Sequence, residues 1–166
     1  MPMKIVSGGQ TGVDRAALDW AIQRGIPHGG WCPRGRRAED GRIPERYRLR
    51  ETPLQKYQQR TAWNVRDSDA TLIIDSTDTL TGGSLLTQAT ATRYQRPCLH
   101  IFPKGNWEAE VCMFLAKHHI SIAVLNVAGP RESTAAGMVP FVEAVLDTVL
   151  MIVMDHQLAL STLPVL

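Results

Sequence analysis

Short apolar runs alternate with longer amphipathic stretches along this chain. The run around Ile5 and Val6 predicts a strand over Lys4–Ser7. Asp14–Arg24 carries helical spacing and ends at Gly25, with Pro27 just beyond. Ile26–Cys32 predicts a second strand, weakened by Gly29-Gly30. Pro33 to Pro53 is arginine-rich and irregular. A helix is then expected over Tyr57–Asp67 and a buried strand over Ala70–Asp75, "ATLIID". Ser84–Tyr94 reads as a helix of small residues, Pro97–Phe102 as a strand, Trp107–His118 as a helix, Ser121–Val127 as a strand and Val139–Met154 as a closing helix. Such alternation predicts a Rossmann-like three-layer α/β sandwich with a mostly parallel sheet of about five strands. The 166 residues fit one domain over 1–166.

In an open parallel sheet, ligands bind outside the carboxyl ends of the strands. Three glycine-bearing loops follow predicted strands: Gly8-Gly9-Gln10-Thr11-Gly12, Thr81-Gly82-Gly83-Ser84, and Ala128-Gly129-Pro130-Arg131. Glycine admits positive φ and close backbone approach, and helix N-termini present unpaired N–H groups. One such loop is explained by a turn of the chain; three on one edge predict a cradle for phosphate or a similar oxyanion. Gln10, Asp14 and Asn126 are expected to read polar edges of the ligand, and Arg36 and Arg131 to supply charge. The pattern GxxxxGK[ST] is absent, and Ser7 stands where GxGxxG needs its first glycine. Trp31-Cys32-Pro33 sits where an acid should hold an NAD ribose, which argues against a standard dinucleotide dehydrogenase.

Composition changes this picture in two places. Net charge is only +2, which gives no case for general nucleic-acid binding, but fourteen arginines stand against four lysines. Arginine suits bidentate recognition of phosphate and carboxylate. The segment "RGRRAEDGRIPERYRLR", Arg34 to Arg50, holds seven arginines and three acids. Most of it reads as a solvated, self-paired loop; Arg36 and Arg37, beside Gly35, are the two expected to face a ligand. Asp14 caps a helix or binds, and Asp75 and Asp78 are ribose or cation ligands or turn residues. Trp31, Trp63 and Trp107 read as core, with Trp31 best placed to stack on a ring.

The three cysteines, Cys32, Cys98 and Cys112, form no CxxC pair, and the five histidines have no metal spacing. These features predict neither a disulfide framework nor a tightly bound structural metal. His118-His119 is expected to end a helix. The N-terminus lacks a signal-peptide pattern, and Glu143, Asp147 and Asp155 interrupt the apolar C-terminal region. A cytoplasmic protein without membrane contact is expected.

Four segments carry a family resemblance: "SGGQTGVDRAALDWAIQRGIPHGGWCPRGRRAEDGRIPERYRLRET", "RTAWNVRDSDATLII", "LTGGS" and "VLNVAGPRES". They resemble the "putative molybdenum carrier" family over most of the chain, up to the tail after Met151. That family is similar to molybdenum cofactor carrier proteins. It belongs to a Rossmann-like group that also holds the lysine-decarboxylase-like nucleoside-monophosphate phosphoribohydrolases. The resemblance implies a small anionic ligand at the strand carboxyl edge. In carriers this is the molybdenum cofactor (molybdopterin), a pterin with a terminal phosphate and a dithiolene-bound metal, held as cargo. The first loop, Thr81–Ser84 and Asn126–Arg131 are the matching positions. A homodimer or homotetramer, with Val139–Met154 as a subunit contact, is also implied, as are molybdenum enzymes or insertion machinery as partners. The hydrolase relatives carry PGGxGTxxE. Here Thr81-Gly82-Gly83 takes the PGG place and Gln88 the glutamate's, and glutamine is no general base. Asp14, Asp75 and Glu132 are the carboxylates that could replace it. Three readings follow: a carrier, a hydrolase or transferase acting on a nucleotide, and a nucleotide-sensing regulatory protein.

Overall fold

The computed structural model describes residues 3–118 and 122–161. In chain order the elements are β1 (Lys4–Val6), α1 (Val13–Gln23), β2 (His28–Gly29), β3 (Trp31–Cys32), β4 (Arg37–Ala38), β5 (Gly41–Arg42), β6 (Arg50–Glu51) and α2 (Tyr57–Arg66). There follow β7 (Ala70–Ile74), α3 (Gly82–Arg93), β8 (Cys98–Ile101), α4 (Trp107–His118), β9 (Val124–Ala128) and α5 (Val139–Ser161). The main sheet is parallel throughout, in the order β2-β1-β9-β7-β8. Ile5 pairs with Leu125, and Leu125 with Ala70, so the apolar runs stand side by side at the centre. Every residue of β7 is buried, because a central parallel strand has helices over both faces.

Helices α1 and α4 both pack against α5, while α2 and α3 pack against each other. The result is the expected Rossmann-like α/β sandwich. Val13, Ala16, Ala17, Trp20 and Ala21 form the buried stripe of α1, at the spacing a helix needs to present one face. They meet Val142, Val145, Leu146 and Val149 of α5 in the main core. The indole Nε1 of Trp20 donates to Asp147 Oδ1 at 2.8 Å, which fixes the register of the two helices. Helix α5 runs past the predicted end at Met154 to Ser161, and Met151, Met154 and Leu158 stay exposed along it. Trp107–His118 is helical as expected. His119, Ser121 and residues 162–166 lie outside the described residues.

The predicted second strand is in fact two. β2 joins the main sheet and β3 leaves it to pair with β6. The break falls at Gly30, with φ 127°, where a Cβ would sit 2.2 Å from the Ser7 carbonyl oxygen. Asn64 holds the departing chain, accepting from Trp31 N at 2.8 Å and donating to Trp31 O at 2.9 Å.

The arginine-rich segment is more ordered than its composition suggests. β4 and β5 make a hairpin, and Leu18, Cys32, Ile43, Tyr47 and Leu49 form a second small core beneath it. Arg36 is at the centre of this unit. Its Nε donates to Ile43 O at 3.0 Å, Nη1 to Leu49 O at 3.3 Å, and Nη2 to Pro44 O at 2.8 Å and Tyr47 O at 2.9 Å. The expectation that Arg36 serves a ligand therefore gives way to a structural role: its donors satisfy the carbonyls of its own loop. Arg37 turns to Gln55 at the surface.

Candidate functional site

The loops after β1, β7 and β9 converge around a cleft of about 380 Å³, within the usual range of small-ligand sites. Gln10 reaches it from the first loop, Asp75 and Thr81–Ser84 from the second, and Gly129–Arg131 with Ser133 and Thr134 from the third. Arg60 enters from α2. Of the residues singled out in the sequence, Gln10, Thr81, Gly82, Gly83, Ser84, Gly129 and Arg131 line this one cleft. Gly8, Gly9, Thr11, Gly12, Asp14, Arg36 and Asn126 do not line the cleft.

The first loop shows why. Its glycines serve packing within the protein. A Cβ at Gly8 would run into the Arg60 guanidinium, one at Gly9 would lie 2.5 Å from Leu49 Cδ1, and one at Gly12 2.6 Å from Pro130 O. Two of the loop's N–H groups are already bonded: Gln10 N to Asp14 Oδ2 at 3.2 Å and Thr11 N to Gln10 Oε1 at 3.0 Å. Asp14, buried in the first turn of α1, is a hub for this packing. Its Oδ2 also accepts from Arg60 Nη1 at 2.9 Å. Asn126 is buried under the loop and donates to Thr71 Oγ1 at 3.2 Å.

The second loop is built differently. Helix α3 begins there with no side-chain cap. Ser84 N and Leu85 N turn back to Thr81 O. Gly82 and Gly83 form the open lip, where an added Cβ would meet nothing within 4 Å. In the third loop Gly129 is wedged in place, its virtual Cβ 2.2 Å from Ile74 O.

Two polar atoms on the cleft-lining residues are buried without a hydrogen-bond partner: Gln10 Nε2 and Arg60 Nε. The Gln10 amide is oriented by its own oxygen, which accepts from Thr11 N and, at 2.9 Å, from Glu39 N. Folded proteins leave few such groups, and each costs about 1–3 kcal/mol. Arg131 makes no ion pair among the described residues, and its guanidinium stands 5.5 Å from the centre of the Tyr57 ring. The Arg60 guanidinium lies 5.9 Å from the same ring, so one aromatic ring neighbours both cations at the cleft. Asp75 is the carboxylate that lines it, with Oδ1 accepting from Ser76 N at 2.7 Å. The lining thus combines unpaired donors with one carboxylate acceptor.

Glu39, at the hairpin, ties the first loop to the third. Its carboxylate accepts from the Thr11 and Ser133 hydroxyls and from Ser133 N at 3.2 Å. Those bonds, Ser133 first, hold the carboxyl below the usual glutamate range. Neither Glu39 nor Arg60 was legible as a site residue, since each arrives from an element with no glycine signature. Of the three replacement carboxylates, only Asp75 lines the cleft; Glu132 Oε1 accepts from Gly137 N at 3.1 Å and Gln88 is exposed. Among the described residues, no group of three or more His, Cys, Asp or Glu is placed to hold a metal.

The profile of the circularly permutated YpsA SLOG family matches residues 5–150. The chain belongs to that family. It is also similar to the crystal structure of a "putative molybdenum carrier protein" from Syntrophus aciditrophicus SB. The two share 47% identity over 89% of this chain and 94% of that one, with a TM-score of 0.82. No curated protein matches the chain. The matched span takes in all three cleft loops and Arg60, so the family relation covers the candidate site and stops within α5.

Proposed function

We propose that this protein binds and carries a small phosphorylated anion in the cleft at the carboxyl edge of its sheet. The molybdenum cofactor is the cargo we favour, given the name of the Syntrophus relative. The observation that carries the reading is the pair of orphaned donors, Gln10 Nε2 and Arg60 Nε. Phosphate or molybdate oxygens would accept from them and recover about 1–3 kcal/mol at each. The first turn of α3, the Ser84 hydroxyl and the Arg131 guanidinium would complete an anion cradle. Asp75 would accept from a ligand N–H or O–H, which favours an organic phosphate over bare molybdate.

The three unpaired cysteines support a reducing, cytoplasmic setting. Among the described residues, no helix is long and apolar enough to cross a membrane. The exposed stripe Met151, Met154 and Leu158 supports a subunit contact through α5, which sedimentation of a Met154→Glu variant would test. Molybdenum enzymes or insertion machinery would receive the cargo.

Native mass spectrometry with molybdenum cofactor, molybdate, AMP and ADP-ribose tests the reading. An intact cofactor adduct, lost in Gln10→Leu while the variant stays folded, supports it. A cleaved nucleotide, with cleavage lost in Asp75→Asn, would replace the carrier with a hydrolase.

A further inference from the structure

Arg15, Arg24, Arg42, Arg46, Arg60 and Arg66 each face a carboxylate at 3.0 Å or less. Lys4, Arg48 and Arg50 make no ion pair among the described residues, Arg50 having only the Asp67 carboxylate at longer range, and the three gather at one place. They line a cavity of about 110 Å³ between β1, the β2–β3 break and the end of α2. An open groove of about 530 Å³ continues from it, sharing Lys4 and Arg48 and running past Ile22, Ile26, Pro27 and His28. Neither shares a lining residue with the 380 Å³ cleft.

The local structure sets these cations in place. A Cβ at Gly29 would come 3.1 Å from Lys4 Cε, so glycine lets the lysine stem lie against the strand. Arg48 N donates to His28 Nε2 at 3.3 Å, which anchors the Arg48 backbone beside β2. The Arg50 guanidinium stacks 4.6 Å from the centre of the Trp31 ring, and Trp31 is braced edge-on by Trp63 at 4.7 Å. Stacking uses the face of the guanidinium and leaves its N–H edge available. Asp67 also lines the cavity, but its oxygens are taken by Arg66 at 2.6 and 2.9 Å and by Trp31 Nε1 at 2.8 Å.

Three cations around one concavity outnumber its one carboxylate, Asp67, which Arg66 already pairs, and an anion there offsets the excess positive charge while gaining charge-assisted hydrogen bonds. The cavity is far below the roughly 300 Å³ at which whole-ligand sites begin, so it suits one tetrahedral group. The groove beside it offers apolar surface for an attached body. We propose that this is a second binding site, for an organic phosphate monoester. Its phosphate sits between Lys4, Arg48 and Arg50, and its body lies along Ile22, Ile26 and Pro27.

The test is a titration of ¹⁵N-labelled protein with phenyl phosphate and with inorganic phosphate. The Trp31 indole N–H and the Gly29 and Gly30 amides report on this cavity alone. Saturable shifts are expected, tighter for the ester than for inorganic phosphate. The double variant Lys4→Ala, Arg48→Ala should weaken ester binding about tenfold or more, since each charge-assisted bond carries that order of affinity. Arg93→Ala, an exposed arginine elsewhere, and Gln10→Leu in the cleft should leave it unchanged. Shifts that never saturate, or that survive the double variant in a well-dispersed spectrum, overturn the site. Equal affinity for the two probes overturns its assignment to an ester.

Discussion

A methyl group added at Gly129 would lie 2.2 Å from the Ile74 carbonyl oxygen, whereas one at Gly83 would meet nothing within 4 Å. Gly129→Ala should therefore force backbone movement where β9 passes under α1, and lower stability by about 1–3 kcal/mol in urea unfolding. Gly83→Ala should leave stability unchanged or raise it by up to about 1 kcal/mol, because alanine favours the helix. It should still weaken ligand binding in the cleft, as read by calorimetry. Equal loss of stability in both variants would refute this division of labour. Replacing Gly9 with a bulky residue makes a poor probe of binding, since its φ of 77° and the nearby Leu49 make it a folding position. The sequence showed that glycine follows three strands; it did not show which glycines face protein and which face solvent. That depends on what the fold brings opposite each Cα. Arg36 teaches the same lesson, as an arginine in a basic loop is legible as charge but its four carbonyl partners are not. Arg36→Met should cost at least about 2–3 kcal/mol by leaving buried acceptors unpaired, and should open residues 34–50 to limited proteolysis.

At the scale of elements, the long strands and helices were legible because each carries its own hydrophobic period, and β7 and α4 fall where the pattern put them. The segment between β3 and α2 was not, because strands of two residues have no period to read. Its order comes from tertiary ties. The bonds of Glu39 to Ser133 and Thr11 are one; the pairing of Arg15 with Asp40, with Nη2 to Oδ1 at 2.7 Å, is another. Both carboxyls are held below their usual range, Glu39 chiefly by the Ser133 hydroxyl and Asp40 chiefly by Arg15. A depressed folded value means that the tie is complete above the ordinary carboxylate range, about pH 4, and is lost as pH falls through the lower folded values. Amide resonances of Ser133 and of residues 37–42 should therefore hold steady from pH 7 to about pH 4.5 and move only below it. Glu39→Gln should abolish that transition at Ser133 and speed hydrogen exchange in the hairpin at neutral pH. A Ser133 transition that persists in Glu39→Gln would assign it to another group.

The cleft joins parts of the whole molecule that are far apart in sequence: Gln10 before α1, Arg60 on α2, the start of α3, and Arg131 beyond β9. The strands that carry three of these elements, β1, β9 and β7, are adjacent at the centre of the sheet. A ligand that bridges them binds only when the central sheet is assembled, so its free energy should appear in global stability rather than in local loop protection. For one site and no affinity for the unfolded chain, a hundredfold excess over Kd adds about 2.7 kcal/mol. In a chain of this size that corresponds to a rise in Tm of roughly 5–11 °C. Gln10→Leu removes an orphaned donor but also the oxygen that accepts from Thr11 N and Glu39 N, so the free variant should melt below the wild type and lose most of the ligand-induced rise measured from its own baseline. The β7 amides are buried at the centre, where exchange is expected to require global unfolding, and should therefore slow by the same free energy. A ligand that raises protection in the cleft loops but leaves β7 exchange unchanged would mean that it binds a state already open at the sheet edge.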